Sequence, residues 1–155
     1  MGILDIFKRN KKYSFISNVI TNLPNGLKDD EINEFSNLSQ EKLGCELPAD
    51  YRDFLSEING FSYNGLTIFS KFNDTIKQLS PRAKAETRDI ICWNEKYYDM
   101  TDITDYIILG KSDIDYIAYD KEKNIYVILT NGTMDEKDKS ENFEERIEKL
   151  KSYGK

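Results

Sequence analysis

The sequence predicts an α+β fold: a small, largely antiparallel sheet with helices packed on one face. Three observations carry that prediction. Apolar residues in the first sixty positions recur with helical spacing, and those from Tyr106 onward fall in short continuous runs typical of strands. The two kinds of segment do not alternate as they would in a doubly wound sheet. A chain of 155 residues, 39% apolar and 32% charged, is long enough for one core and has a well-solvated surface.

Residues 1–12 read as an N-terminal extension, followed by a single domain over residues 13–155. Met1 to Phe7 is mostly apolar and Lys8-Arg9-Asn10-Lys11-Lys12 is basic, a pairing that can rest on an anionic membrane surface or serve as a tail. Ile6 stands where a myristoylation pattern needs Ser or Thr, so a docking or disordered extension is favoured over membrane contact.

Tyr13, Ile16, Val19, Ile20 and Leu23 follow a helical period that Pro24-Asn25-Gly26 ends. A second helix opens at Asp29-Asp30, carries Ile32, Phe35, Leu38 and Leu43, and stops at Gly44. Pro48 opens a third at its first helical position, where its missing N–H has no intrahelical partner anyway. Asp50 and Asp53 complement the helix dipole there; Tyr51, Phe54, Leu55 and Ile58 form one stripe, and Asn59-Gly60 closes the helix.

Phe61 to Gly65 then reads as a loop with an exposed aromatic, and Leu66 to Phe69 as a strand. Ser80-Pro81 has the chemistry of a cap followed by Pro at the first helical position. It predicts a helix through about Asn94 that buries Ile90, Ile91 and Trp93 or Tyr97 and leaves Arg82, Lys84, Glu86 and Arg88 as a solvated face. Tyr106 to Leu109 is a strand ending at Gly110. Ile114 to Tyr119 and Ile125 to Thr130 form an antiparallel pair around the polar run Asp120 to Asn124. Asn131-Gly132 turns the chain, Asp135 to Lys139 is exposed, and Phe143, Ile147 and Leu150 mark a last helix.

Histidine is absent, which removes the usual general base near neutral pH and excludes Ser-His-Asp and Cys-His catalysis. The remaining carboxylates, lysines, tyrosines and cysteines form no recognisable catalytic motif, so no enzyme, cofactor or metal site is expected. The aspartates Asp99, Asp102, Asp105, Asp113, Asp115 and Asp120 are the one suggestive group, but Asp113-x-Asp115 lacks the further ligands, Gly and Glu of a calcium loop. Two readings stay open: ordinary backbone hydrogen bonding at strand ends, or a negative patch that meets a protein partner.

A net charge of −6 disfavours direct nucleic-acid binding and favours a basic protein partner. Tyr63 with Asn64, and Tyr97 and Tyr98 beside Asp99, are the candidate surface anchors. Cys45 and Cys92 read as buried small hydrophobes, and no apolar run suits a signal sequence or membrane span. The expected location is the cytoplasm, with a monomer favoured.

The run Leu47-Pro48-x-Asp50-Tyr51-x-x-Phe54-Leu55-x-x-x-Asn59-Gly60, preceded by a helix, resembles the signature of the SUKH superfamily. Ile107 to Gly110, with the following Lys111-Ser112-Asp113 and Ile117 to Asp120, and the closing Glu141 to Ile147, resemble later blocks of the same family. The middle block departs from the usual Gly-rich pattern at Asp113-Ile114-Asp115, which leaves the subfamily open. The resemblance implies structural roles for Leu47, Pro48, Tyr51, Phe54, Leu55, Asn59, Gly60 and Gly110. It also implies a non-enzymatic immunity protein that captures a cognate toxin domain, such as a nuclease. The alternative it implies is a regulatory adaptor in cell-wall or signalling assemblies, like the yeast glucan-synthesis regulator of that superfamily.

Overall fold

The computed structural model describes residues 12–153, with side chains to residue 148. The expectations for residues 1–11, including membrane contact, and for the Leu150 side chain lie outside the described residues. The described elements are α1 (Ser14–Ser17), α2 (Asp29–Leu43), α3 (Ala49–Glu57), β1 (Phe61–Tyr63), β2 (Leu66–Ile68), α4 (Asp74–Leu79), α5 (Ala85–Arg88) and α6 (Ile90–Thr101). Then come β3 (Tyr106–Lys111), β4 (Asp115–Asp120), β5 (Ile125–Thr130), β6 (Glu136–Ser140) and α7 (Phe143–Tyr153). The six strands form one sheet in chain order, each antiparallel to its neighbour, so the α+β expectation stands.

The first predicted helix is only one turn, α1; beyond it Val19 is exposed and the chain loops back to bridge Asn25 to Ile58. A periodicity of five apolar residues was too short to hold a helix without packing along its whole length. Helix α2 forms as expected, with an acidic first turn and a left-handed Gly44 after its last residue. Its inner face holds Ser36 and Ser39 besides Ile32, Phe35 and Leu43, while Leu38 faces outward. Both hydroxyls clamp the next loop: Ser39 Oγ donates to the Cys45 carbonyl at 2.7 Å, and Ser36 Oγ accepts from the Leu47 N–H at 3.1 Å.

In α3, Pro48 sits at the cap one residue before the first helical position, and Tyr51, Phe54 and Leu55 are buried. Asn59 does not close this helix. The backbone is already extended at Ile58, and the buried Asn59 amide pairs with both backbone groups of Lys71, at 2.8 and 2.9 Å. Gly60, at φ +75°, then redirects the chain into the sheet.

The segment Phe61 to Gly65 is not a loop but half of a hairpin. Asn64 (φ +49°) and Gly65 (φ +82°) are both left-handed, the signature of a two-residue type I′ turn, and Tyr63 pairs with Leu66 across it. Gly110 does not end β3 either. It lies within the strand at a bulge, opposite Ile68 and Ile117, and a Cβ there would come within 2.6 Å of the Ile68 side chain and 2.8 Å of the Thr67 carbonyl. Only glycine admits β2 at that distance. The charged run Asp135 to Lys139 is exposed for the most part, yet Glu136–Ser140 pairs with β5 as an edge strand whose charges discourage further pairing.

The helix predicted from Ser80 is replaced by a turn and two helices, α5 and α6, with α4 preceding them. Asn73 caps α4 through a 3.0 Å bond to the Ile76 N–H, and Ser80-Pro81 forms a turn closed by Ala83 N–H to Ser80 O at 2.8 Å. Pro at the second position of a turn needs the same φ as Pro opening a helix, so the dipeptide could not distinguish them. The true start of α6 is Asp89, buried, whose Oδ1 accepts from the Ile91 and Cys92 N–H groups and Oδ2 from Phe72. Arg88, expected in a solvated face, is half-buried, and Cys92, expected inside, is exposed.

Phe143 sits at the centre of the core on one face of the sheet. Its ring lies 5.7 Å from Tyr126 of β5, 5.7 Å and 5.6 Å from Tyr51 and Phe54 of α3, and 6.4 Å from Tyr13. The Phe143 N–H is capped by Asp50 of α3 at 3.2 Å. At the other edge of β3, β2 pairs with it at Gly110 and Lys111 and the Phe69 N–H donates to the Leu109 carbonyl at 2.9 Å, while the earlier part of that edge goes to α6. Asn94 takes the place of a strand there: its carbonyl accepts from Ile108 N–H at 2.8 Å and its amide donates to Ile108 O at 2.9 Å. Tyr98 OH donates to the Tyr106 carbonyl.

Candidate partner-binding surface

The antiparallel connections gather the predicted surface residues at two opposite ends of the sheet. At one end lie the β1–β2 turn, the β3–β4 turn and the β5–β6 turn. A Cβ at Gly65 would be 3.9 Å from the Asp113 carboxylate, and the Asn131 N–H donates to the Ile114 carbonyl at 2.9 Å, so the three turns are contiguous. Tyr63 (38% exposed), Asn64 and Asp113 therefore come together, around Ile114, which is 54% exposed.

Asp99, Asp102 and Asp105 belong to the opposite end, where α6 stops and β3 begins. Asp102 takes the left-handed conformation that closes α6, and the Asp105 carbonyl accepts from the Lys121 N–H at 3.1 Å, tying this connection to the β4–β5 turn. All three carboxylates are exposed, as is Glu122 of the adjoining β4–β5 turn; Met100, at 74% the most exposed large hydrophobic among the described residues, lies between Asp99 and Asp102 in the chain, with half-buried Ile103 following. The sequence thus named one acidic cluster where the fold keeps Asp99, Asp102 and Asp105 at one end and sets Asp113 alone at the other.

Two of the six aspartates are not surface charges at all. Asp115 is 1% exposed and pairs with Lys137 Nζ at 2.7 Å across β4 and β6. Asp120 is buried and accepts from the N–H groups of Glu122 and Lys123 at 3.0 Å, which shapes the β4–β5 turn. The two lie five residues apart at the ends of β4 and so point to opposite faces; both are buried because β4 is covered on both faces, which depends on the strands and helices that pack around it.

The tyrosine pair is also divided. Tyr97 stacks on Trp93 with centroids 5.4 Å apart, meets Tyr116 of β4 edge-on and donates its hydroxyl to Met134 Sδ at 3.2 Å. Tyr98 is a seam residue: Lys121 Nζ lies 4.7 Å from its ring centre while donating to the Leu43 carbonyl. Burial pushes the Tyr98 hydroxyl well above its ordinary range and the Lys121 ammonium down. Sequence reasoning missed Met100, Ile103 and Ile114; their apolar character next to aspartates was the available signal.

Neither end brings a nucleophile, a base and an orienting group together, and among the described residues no three His, Cys, Asp or Glu side chains converge as metal ligands. Exposed apolar side chains near exposed charges are the composition of a protein-contact surface. The chain belongs to the SMI1 / KNR4 family (SUKH-1), whose sequence profile matches residues 26–149, the whole described sheet and all but the last turn of α7 included. That places it among toxin-immunity and regulator-like proteins that are generally non-catalytic and bind partner proteins. No curated protein matches the chain. No helix among the described residues is long and apolar enough to cross a membrane.

Proposed function

We propose that this chain is an immunity protein that binds a cognate toxin domain in a stoichiometric complex and blocks the toxin's active site or the path of its substrate. Family membership supports the general reading, and one observation carries the choice of surface: Asp99, Asp102, Asp105 and Glu122 exposed at one end of the sheet with Met100. An exposed hydrophobic anchor at an acidic end of the sheet suits a basic partner surface, such as the phosphate-binding face of a nuclease. The charges speed encounter and Met100 supplies adaptable contact. Residues 13–155 act as the binding domain and the protein works as a monomer in the cytoplasm, where the free thiols of Cys45 and Cys92 persist.

The test is capture of partners from lysate of the source cells by the tagged full chain, across a range of salt, followed by expression of each captured protein alone and with this chain. A single partner that arrests growth alone, is neutralised on co-expression and is released as salt rises supports the reading. Recovery of envelope or signalling components with no toxic member would replace it with the adaptor reading.

A further inference from the structure

Between the loop after α1, strand β1 and helix α4 lies a cavity of about 210 Å³ that belongs to neither end of the sheet. Arg88 forms part of its wall, with the hydroxyls of Ser62 and Ser80 and the apolar side chains of Leu23, Ile76 and Leu79. The Arg88 backbone is held in place by the Ser70 N–H, which donates to its carbonyl at 2.8 Å. Its Nε is buried and finds no acceptor, and no carboxylate among the described residues pairs with the guanidinium. Burial lowers its pKa from the ordinary arginine value, with no neighbouring anion acting against that shift. An arginine drawn partly out of water without a counter-ion is short of an anionic partner.

We propose that this cavity is a carboxylate-binding site, taking a short aliphatic acid whose carboxylate pairs with Arg88 and whose carbon chain lies against Leu23, Ile76 and Leu79. The planar guanidinium fork matches a planar carboxylate in two parallel hydrogen bonds. A single cation neutralises a monoanion but only part of a phosphate dianion, and the lining offers hydroxyls rather than further positive charge. The volume lies below the roughly 300–1,000 Å³ of sites for drug-sized ligands, so the occupant is one small group. That group is a free acid or the side chain of an acidic residue on another molecule; the recognising chemistry is the same. The proposal is independent of the toxin reading and uses neither sheet end.

The experiment follows the Arg88 Nε–Hε resonance of the full chain by NMR during titration with butyrate, acetate, inorganic phosphate and chloride at matched ionic strength. A saturable shift with butyrate is expected, with binding roughly tenfold tighter than acetate because two further methylenes are buried. Phosphate and chloride should produce little change. Arg88→Gln should abolish the response of neighbouring amides to butyrate, and Arg88→Lys should weaken it at least about tenfold, since an ammonium lacks the fork. Equal shifts with chloride, or unchanged butyrate binding in Arg88→Gln, would overturn the proposal. If that variant does not fold, the butyrate-to-chloride contrast in the wild-type chain decides alone. Glutamate blocked at both backbone ends, compared with butyrate, tells an acidic side chain from a free acid as the source.

Discussion

The core around Phe143 and the seam between α6 and β3 hold the same sheet by different physics. Around Phe143, rings from the α1 region, α3, β5 and α7 meet at 5.2 to 6.4 Å, and the stabilisation comes from apolar area removed from water and from edge-to-face contacts. Along the seam, buried Asn94 and Asp89 hold backbone groups that no strand or helix would otherwise satisfy. Ring packing tolerates small displacements, because dispersion and burial carry little directionality. A side-chain amide standing in for a strand fixes position to a few tenths of an ångström, and is costly if lost. The seam therefore sets where α6 ends, and with it where Asp99, Met100 and Asp102 are presented.

Four variants and one surface control separate these contributions, from the largest effect on stability to the smallest. Phe143→Ala removes the ring that touches four others and should cost about 3–5 kcal/mol in urea denaturation, close to unfolding a domain of this size. A loss under about 1 kcal/mol would mean that the ring core is not what holds α7. Asn94→Leu keeps the volume but strands the Ile108 N–H and carbonyl, and should cost about 1–3 kcal/mol, with amide exchange accelerated at the α6–β3 seam. Were exchange to rise uniformly across the sheet instead, the seam would have no local identity.

Tyr51 links the two regions, because its ring packs on Phe143 and its hydroxyl donates to the Phe69 carbonyl at 2.6 Å. Burial raises its pKa well above 10, so in the folded state it keeps its proton while the unfolded chain releases it above about pH 10. The folded state then binds more protons, and stability, fully present below pH 10, falls as pH rises from there toward the folded pKa. Tyr51→Phe should cost about 1 kcal/mol at pH 7 through the lost hydrogen bond. It should also make the alkaline decline shallower, by about 1.4 kcal/mol per pH unit. Parallel pH curves for the two proteins would show that Tyr51 is not the titrating group. At the surface, Asp102→Lys with Asp105→Lys should leave stability within about 1 kcal/mol and slow association with a basic partner roughly tenfold at low salt. Equal slowing by Asp113→Lys, at the far end of the sheet, would argue for overall charge in place of a defined face.

Much of the fold was legible because its signals are local. Gly44, Pro48 and the stripe Tyr51, Phe54, Leu55 mark α2 and α3 to within a residue, since caps and apolar period act over a single turn. The central strands β3, β4 and β5 appear as continuous apolar runs because both their faces are buried. The hairpin at Asn64-Gly65 was also present in the sequence as the strongest short turn pair, and was overlooked because β1 has only three residues. Asp89 before Ile90-Ile91 had the form of a helix cap, but Ser80-Pro81 offered a competing start. Only the closing of the Ser70 bridge to Asp89 decides between them.

The sequence by itself determined the α+β class, the family signature around Leu47 to Gly60 and the absence of histidine chemistry, because composition and short-range spacing carry all three. The tertiary structure alone decided that the six aspartates divide into an exposed group of three, a lone exposed Asp113 and two buried residues, and that Arg88 walls a cavity. The reason is that burial at these positions depends on which distant segments cover them, and no local spacing encodes that meeting.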